Sequence, residues 1–225
     1  TNTSDHAWPA LLSGARLLHV SGVSPALGAN VAESVLGAAR AARAAGVQVS
    51  FDGNYRRSLW RRWDGDAAAI LRELFAEADI AFADHRDIEL VLGLHFPHDD
   101  AVARTEAAAA AAFAAFPHLQ WLACTQRDVV SADHHILGAL LLGRDGTRAQ
   151  APPRPLPGIV DRIGGGDAFA AGILHGMLSG LDAESTVRFG LAAGALKHAI
   201  PGDFSPVAEA KVRALLGNGG ADVQR

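Results

Sequence analysis

The sequence predicts an α/β protein: a three-layer α/β/α sandwich with a mostly parallel central sheet buried between helices. Short apolar runs of strand length alternate with longer, Ala-rich helical stretches, the pattern of βαβ units. Gly46, Gly53, Gly93 and Pro117 punctuate those runs, stopping one element before the next begins. The 225 residues, 49% of them hydrophobic, suffice for a sizeable core and exclude a disordered chain. A single domain over residues 1–225, without internal repeats, is expected.

The residues through about Ser13 read as polar and irregular. Ala15 to Gly22 reads as a short buried strand, and Asn30 to Ala45 as a helix closed by Gly46. Val47 to Asp52 alternates as a strand. The helix Asp66 to Ala78, the strand Asp79 to Ala83 and the short helix Arg86 to Leu92 follow, then a loop from His95 to Asp100. Val102 to Phe116 is helical, Gln120 to Thr125 and Ile136 to Leu142 are strands, and Arg144 to Gly146 is a turn. Pro152 to Pro157 is expected to be a proline-rich connector, because proline cannot donate within a central strand. Asp167 to Leu178 is a helix, Asp182 caps another that runs to His198, and Pro201 to Asp203 is a turn. Val207 to Leu216 is the last helix, and residues 218–225 are expected to be a disordered tail.

The net charge of −4 comes from well-mixed charges, with no basic stripe for nucleic acid. No apolar run is long enough to cross a bilayer and no signal-peptide pattern is present, so neither a membrane partner nor export is expected. The single Cys124 excludes a disulfide framework and fits a reducing cytoplasm.

Chemistry concentrates at Asp161-Arg162-Ile163-Gly164-Gly165-Gly166-Asp167-Ala168-Phe169. Three glycines run into an aspartate at the start of an apolar helix. The free N–H groups and positive dipole end of such a helix form an anion site without any basic side chain. Asp167, in the first turn, suits a general base working beside a phosphate; the plainer reading is a turn with a helix-end charge. No Lys-Ser/Thr follows the glycines, so this is not a Walker A loop. Phe169 occupies the place of the third glycine of a dinucleotide fingerprint, which leaves a dinucleotide-dependent oxidoreductase as a reading on Gly-x-Gly alone. By the rule that parallel sheets bind ligands beyond the carboxyl ends of their strands, Ser21-Gly22, Asp52 to Arg56, Asp84 and Thr125 are expected on the same rim as the glycine loop.

Asp161 to Phe169 resembles the second signature of the ribokinase-like PfkB sugar kinases, Asp-Thr-x-Gly-Ala-Gly-Asp-x-Phe, with Arg162 in place of the usual Thr. Three further stretches resemble the 2-dehydro-3-deoxygluconokinase branch: His19 to Leu27, Phe51 to Trp60 and Leu196 to Phe204. The resemblance implies a ribokinase-like fold, a sugar acid phosphorylated at its terminal hydroxyl, and ATP with Mg²⁺ as donor. It implies Asp167 as base, the backbone of Gly164, Gly165 and Gly166 as phosphoryl cradle, and Gly202-Asp203 near adenine and monovalent-cation surroundings. Arg56 is implied as the ligand of the substrate carboxylate, which a planar guanidinium grips bidentately; a solvated surface arginine is the alternative. Asn54 shapes that loop, which Gly53, smaller than the usual residue, is expected to loosen.

Asp84 and Asp87 stand where many members carry Asn-x-x-Glu, and their oxygens suit Mg²⁺ through water. The same spacing equally describes a helix N-cap with a first-turn charge. Thr125 and Arg127 follow the strand that many members end with a glycine-rich nucleotide loop, absent here; they are candidate ATP-phosphate contacts. His95, His98, Asp133, His134 and His135 lack zinc-ligand spacing and read as solvated loop residues. Trp60 and Trp63 read as packing residues. The family's N-terminal sugar-binding segment and β lid are expected to be absent, which leaves a homo-oligomer open but counts against one formed through the lid. It also leaves a non-catalytic nucleotide-binding remnant as the alternative function and an exposed sheet edge at the first strand.

Overall fold

Apolar residues of strand length do become strands, and the polar ends of the helices carry their caps. The computed structural model describes residues 6–217; the expected tail at 218–225 lies outside the described residues. Six strands form one sheet in the order β1 (Leu17–Ser21), β2 (Gln48–Asp52), β3 (Ile80–Phe82), β4 (Trp121–Val129), β5 (His134–Gly143) and β6 (Arg148–Pro157). The pairs β1–β2, β2–β3 and β3–β4 are parallel. Four-residue connections join β4 to β5 and β5 to β6, too short for a parallel crossover, so these strands run antiparallel. Among the described residues every strand belongs to this sheet.

The chain divides into two compact units, Thr1–Ala123 with Leu142–Gly146, and Cys124–Leu141 with Thr147–Arg225. In the first, α1 (Trp8–Leu11) is a single turn where an irregular start was expected, with Pro9 at its N-terminus, a favoured place for proline. The helices α2 (Ala29–Ala44), α4 (Ala67–Glu77), α5 (His85–Leu92) and α6 (Ala101–Ala115) connect the parallel strands, and α3 (Arg57–Trp60) is a short turn before α4. The strands are laid down in one direction, so right-handed crossovers place the connecting helices on one face. Asp66 and Asp100 cap α4 and α6, accepting from the N–H groups of Ala69 and Ala103. At the far end of α6, Arg144 donates to the carbonyls of Phe113, Phe116 and Leu119, a cation at a helix C-terminus where the dipole favours one. The core is aromatic at its centre. Phe75 meets Phe51 edge-on at 4.9 Å and stacks on Phe116 at 5.4 Å. Trp60 is buried and stacked on Trp63, whose indole N–H donates to the Ala26 carbonyl, as expected of packing residues.

In the second unit α7 (Gly165–Leu178) and α8 (Ala183–Lys197) pack closely, and α9 (Glu209–Gly217) closes a small cluster of Phe189, Ala192 and Val212. Asp182 caps α8 through the Ser185 N–H. Two expectations change here. Residues 152–157 are not a connector but the second half of β6, an edge strand, which is where a sheet admits proline. Ala149 and Ala151 turn inward from it while Pro152 and Pro153 are exposed. The strand expected to stop at Thr125 continues to Val129, so residues 126–128 belong to it. β1 is the other edge strand and only half-buried.

Replacing Phe75 with Ala removes the ring both Phe51 and Phe116 pack on. The expected loss is about 3–5 kcal/mol of unfolding free energy, read by urea denaturation.

Candidate active site

The glycine loop starts α7 earlier than Asp167. Gly164 is the N-cap, in the left-handed region at φ 73°, and Gly165 and Gly166 form the first turn with Asp167. Two of these glycines are dictated by close approach. A Cβ on Gly164 would stand 2.4 Å from the Asp203 carbonyl oxygen, and one on Gly165 would stand 2.5 Å from the His198 ring. Gly166 meets no such neighbour and, like Asp167, is exposed. Helix geometry leaves the first-turn N–H groups without intrahelical acceptors. That of Gly165 reaches back to the Arg162 carbonyl at 3.5 Å, and no side chain caps the helix. Among the first-turn residues the open donors are therefore those of Gly166 and Asp167, both exposed.

The turn after α8 holds this loop. The Asp161 carboxylate accepts from the N–H groups of Ile163 at 2.9 Å and Gly202 at 2.8 Å. These two donors, against its desolvation and with the Lys197 charge adding, hold Asp161 below the usual carboxylate range. The N–H groups of Val160 and Asp161 donate to the His198 carbonyl. Fully buried Lys197 donates from Nζ to the carbonyls of Ile200 at 2.9 Å and Gly202 at 2.6 Å. A monovalent cation at this turn would need such carbonyl oxygens, and the ammonium occupies them, so the residues present do not fit a separate ion.

Arg127 lies on β4, half-buried, between two histidines. It donates from Nη1 to Nδ1 of His135 at 3.2 Å and from Nη2 to Nε2 of His198 at 3.0 Å. His198 in turn donates from Nδ1 to the Gly194 carbonyl at 2.7 Å. Burial, with the Arg127 charge, holds both imidazoles below the usual histidine range, which keeps their acceptor nitrogens available. His135 is fully buried on β5, so it is not a solvated loop residue. Thr125 is half-buried on the same strand as Arg127. Only isolated polar residues within apolar runs, at His135 and at Lys197-His198, hint at this cluster in the sequence.

In the first unit, the carboxyl ends of β1, β2 and β3 come together. Asn54, at φ 37° in a region Asn tolerates, donates from Nδ2 to the Ser21 hydroxyl at 3.1 Å. Gly53 is buried, and a Cβ there would stand 3.0 Å from the Asp87 carboxyl carbon. The loop is thus tightened at Gly53, not loosened, because its α-carbon seats the carboxylate.

Asp84 and Asp87 form a reciprocal capping box at the start of α5, the plainer of their two readings. Asp84 accepts from the Arg86 N–H and pairs with its guanidinium at 2.5 Å, and Asp87 accepts from the Asp84 N–H at 3.0 Å. Desolvation works to raise Asp84, but Arg86 outweighs it and holds the carboxyl below its ordinary value. Burial, reinforced by the Asp84 charge, pushes Asp87 up to about 6. With Asp84 taken by Arg86 and Asp87 by the cap and Gly53, the pair does not offer Mg²⁺ a direct ligand set. No group of three or more His, Cys, Asp or Glu gathers as a metal site among the described residues. Arg56 is exposed and pairs with no carboxylate among the described residues; its guanidinium donates to the Tyr55 carbonyl at 3.5 Å. Its charge is close enough to pull Asp87 downward.

The glycine loop opening α7 with Asp167 exposed in its first turn agrees with the match of residues 1–208 to the pfkB family carbohydrate kinases. The chain belongs to the pfkB family. A 2-dehydro-3-deoxygalactonokinase of Haloferax volcanii is 31% identical over 96% of this chain and 61% of its own length. A 2-dehydro-3-deoxygluconokinase of Bacillus subtilis is 30% identical over 83% of this chain and 52% of its own. The crystal structure of a Thermotoga maritima 2-dehydro-3-deoxygluconokinase superposes with a TM-score of 0.85 at 30% identity, covering 97% of this chain and 65% of that one. A PfkB family carbohydrate kinase of Listeria grayi gives 0.85 at 33%, covering 95% and 64%. The fold is the ribokinase-like α/β fold with its mostly parallel sheet. The chain spans between about half and two-thirds of the length of these pfkB relatives. Among the described residues no helix is long and apolar enough to cross a membrane.

The raised Asp87 sets a pH dependence. A carboxyl with a folded pKa near 6, above its unfolded value near 4, favours the folded state when protonated. That contribution is full below about pH 4 and is lost as pH rises through about 6. Relative to Asp87→Asn, the native chain should therefore lose on the order of 1–2 kcal/mol of stability between pH 5 and pH 7, read by paired urea titrations.

Proposed function

We propose that the chain is part of an ATP-dependent sugar-acid kinase that phosphorylates 2-dehydro-3-deoxy-D-gluconate, or a closely related sugar acid, at its terminal hydroxyl. The observation that carries this is the open N-terminus of α7, with free N–H donors and an exposed carboxylate in one turn. The names of the Haloferax and Bacillus relatives support a sugar acid over a neutral sugar. A putative ribokinase of Escherichia coli, similar in fold at a TM-score of 0.74, was solved with ATP and Mg²⁺, which supports that donor.

In this reading Asp167 takes the proton of the acceptor hydroxyl as its oxygen bonds the γ-phosphorus and the bond to the ADP oxygen breaks. The backbone of Gly164, Gly165 and Gly166, with the open N–H groups of Gly166 and Asp167 and the positive end of the α7 dipole, stabilises charge on the transferring phosphoryl group. Gly166 is the member with room on its open side for a phosphate to approach. Magnesium enters as the counter-ion of ATP, with no role assigned to Asp84 or Asp87. Arg56 binds the substrate carboxylate with its uncommitted fork, and Asn54 fixes the loop that presents it. Thr125 is retained as a nucleotide contact; Arg127 is assigned to supporting His198 behind Gly165, with its remaining N–H groups available to phosphate.

The absence of a glycine-rich loop after β4 favours one second reading, a nucleotide-binding chain without turnover. A coupled ADP-release assay separates the two. Turnover on 2-dehydro-3-deoxygluconate is expected, with Asp167→Asn lowering kcat by about 10²–10⁴-fold while Mg–ATP affinity stays within about threefold. Mg–ATP binding without turnover in the native chain would decide for the second reading. Across a substrate panel, sugar acids should exceed neutral sugars, and Arg56→Ala should raise KM for the acid by about tenfold or more. A neutral sugar preferred by the native chain would remove Arg56 from its role.

A further inference from the structure

Lys197 is one of two lysines in the chain and one of the largest fully buried side chains. It sits in the last turn of α8 and pairs with no carboxylate among the described residues. Its partners are two main-chain carbonyls, Ile200 and Gly202. An ammonium is donor-only, so acceptor oxygens are what it needs, but a buried cation on neutral dipoles is costly unless it supports something. What it supports is next to it. Lys197 Cε lies 3.2 Å from where a Gly164 Cβ would be, so the side chain runs directly beneath the N-cap of α7. Gly202, whose carbonyl it holds, gives its N–H to Asp161, and the next carbonyl, of Asp203, packs on Gly164.

We infer that the Lys197 ammonium is a built-in monovalent cation: it fills the carbonyl cradle of residues 200–202 and makes the anion site at α7 independent of dissolved potassium, sodium or ammonium. The inference rests on the kinase reading only in calling that anion site a phosphate site. A dissolved ion occupies a carbonyl cradle in proportion to its concentration, whereas a tethered ammonium is always present. Its charge also works with the α7 dipole, since both are positive and both lie at the helix N-terminus where an anion would bind. Lys197 is therefore a positioning residue that acts through Gly202, Asp203 and Gly164, not a group that touches substrate.

The test uses the whole chain in choline chloride, with KCl or NH₄Cl exchanged in at equal ionic strength. Two properties are read: the thermal midpoint, and Mg–ATP affinity by calorimetry. For the native chain both should be unchanged, affinity within about twofold. Lys197→Ala opens the cradle and should lose about tenfold or more in affinity in choline, with affinity and midpoint both recovering in KCl or NH₄Cl. If Lys197→Ala does not fold, Lys197→Gln keeps an N–H₂ for the carbonyls without the charge; its affinity should fall similarly and stay insensitive to potassium. Strong potassium activation of the native chain, a Lys197→Ala variant no more sensitive to potassium than the native chain, or a Lys197→Gln variant with native affinity would each overturn the inference. Absence of any Mg–ATP binding would count against the kinase reading, and the cation dependence of the midpoint would still decide the role of Lys197.

Discussion

Gly202 is gripped from both ends: its N–H goes to Asp161 and its carbonyl to Lys197. Those two bonds join the segment that leads into α7 to the turn that leaves α8, and the rest of the second unit's chemistry hangs on that join. The His198 carbonyl takes the N–H groups of Val160 and Asp161, and its ring stands where a Gly165 side chain would be. Gly164 is pressed against the Asp203 carbonyl. A helix N-terminus left open toward solvent has four unsatisfied donors and frays easily unless something braces it. Here the brace lies entirely on the closed side of the loop, so Gly166 and Asp167 remain exposed without being loose.

The first unit uses the same economy with opposite charge. Gly53 gives up a side chain so that Asp87 can sit against the backbone, and Asp87 gives its carboxylate to the start of α5. Gly53 and Asp87, both smaller than the residues the family resemblance led one to expect, are neighbours, since a Cβ on Gly53 would meet the Asp87 carboxyl group. A smaller residue at one position accommodates a carboxylate drawn closer by a shorter side chain at the other.

Most of the fold was legible because βαβ units announce themselves: strand-length apolar runs, a helix with an Asp cap at 182, and glycine stops at 46 and 93. The misses have physical causes. Gln126 to Asp128 is polar and reads as lying past the strand's end, yet it is strand because β5 supplies a hairpin partner for it. Pro152 to Pro157 breaks the rule for central strands and obeys the rule for edges, and strand order cannot be read locally. At the site, Asp167 and the glycines stood out because glycine before an acidic helix start is rare without a reason. His135, Lys197 and His198 did not, because a lone polar residue in an apolar run says that it has a partner without saying which.

The proline-rich half of β6 has a consequence for how the protein behaves in a crowd. Pro152, Pro153, Pro155 and Pro157 contribute no N–H to β6, so that half of the edge strand is short of the donors that strand-by-strand growth requires. That shortage of donors works against fibril-like association on this side of the sheet, and Arg154 within the same stretch adds a charge to it.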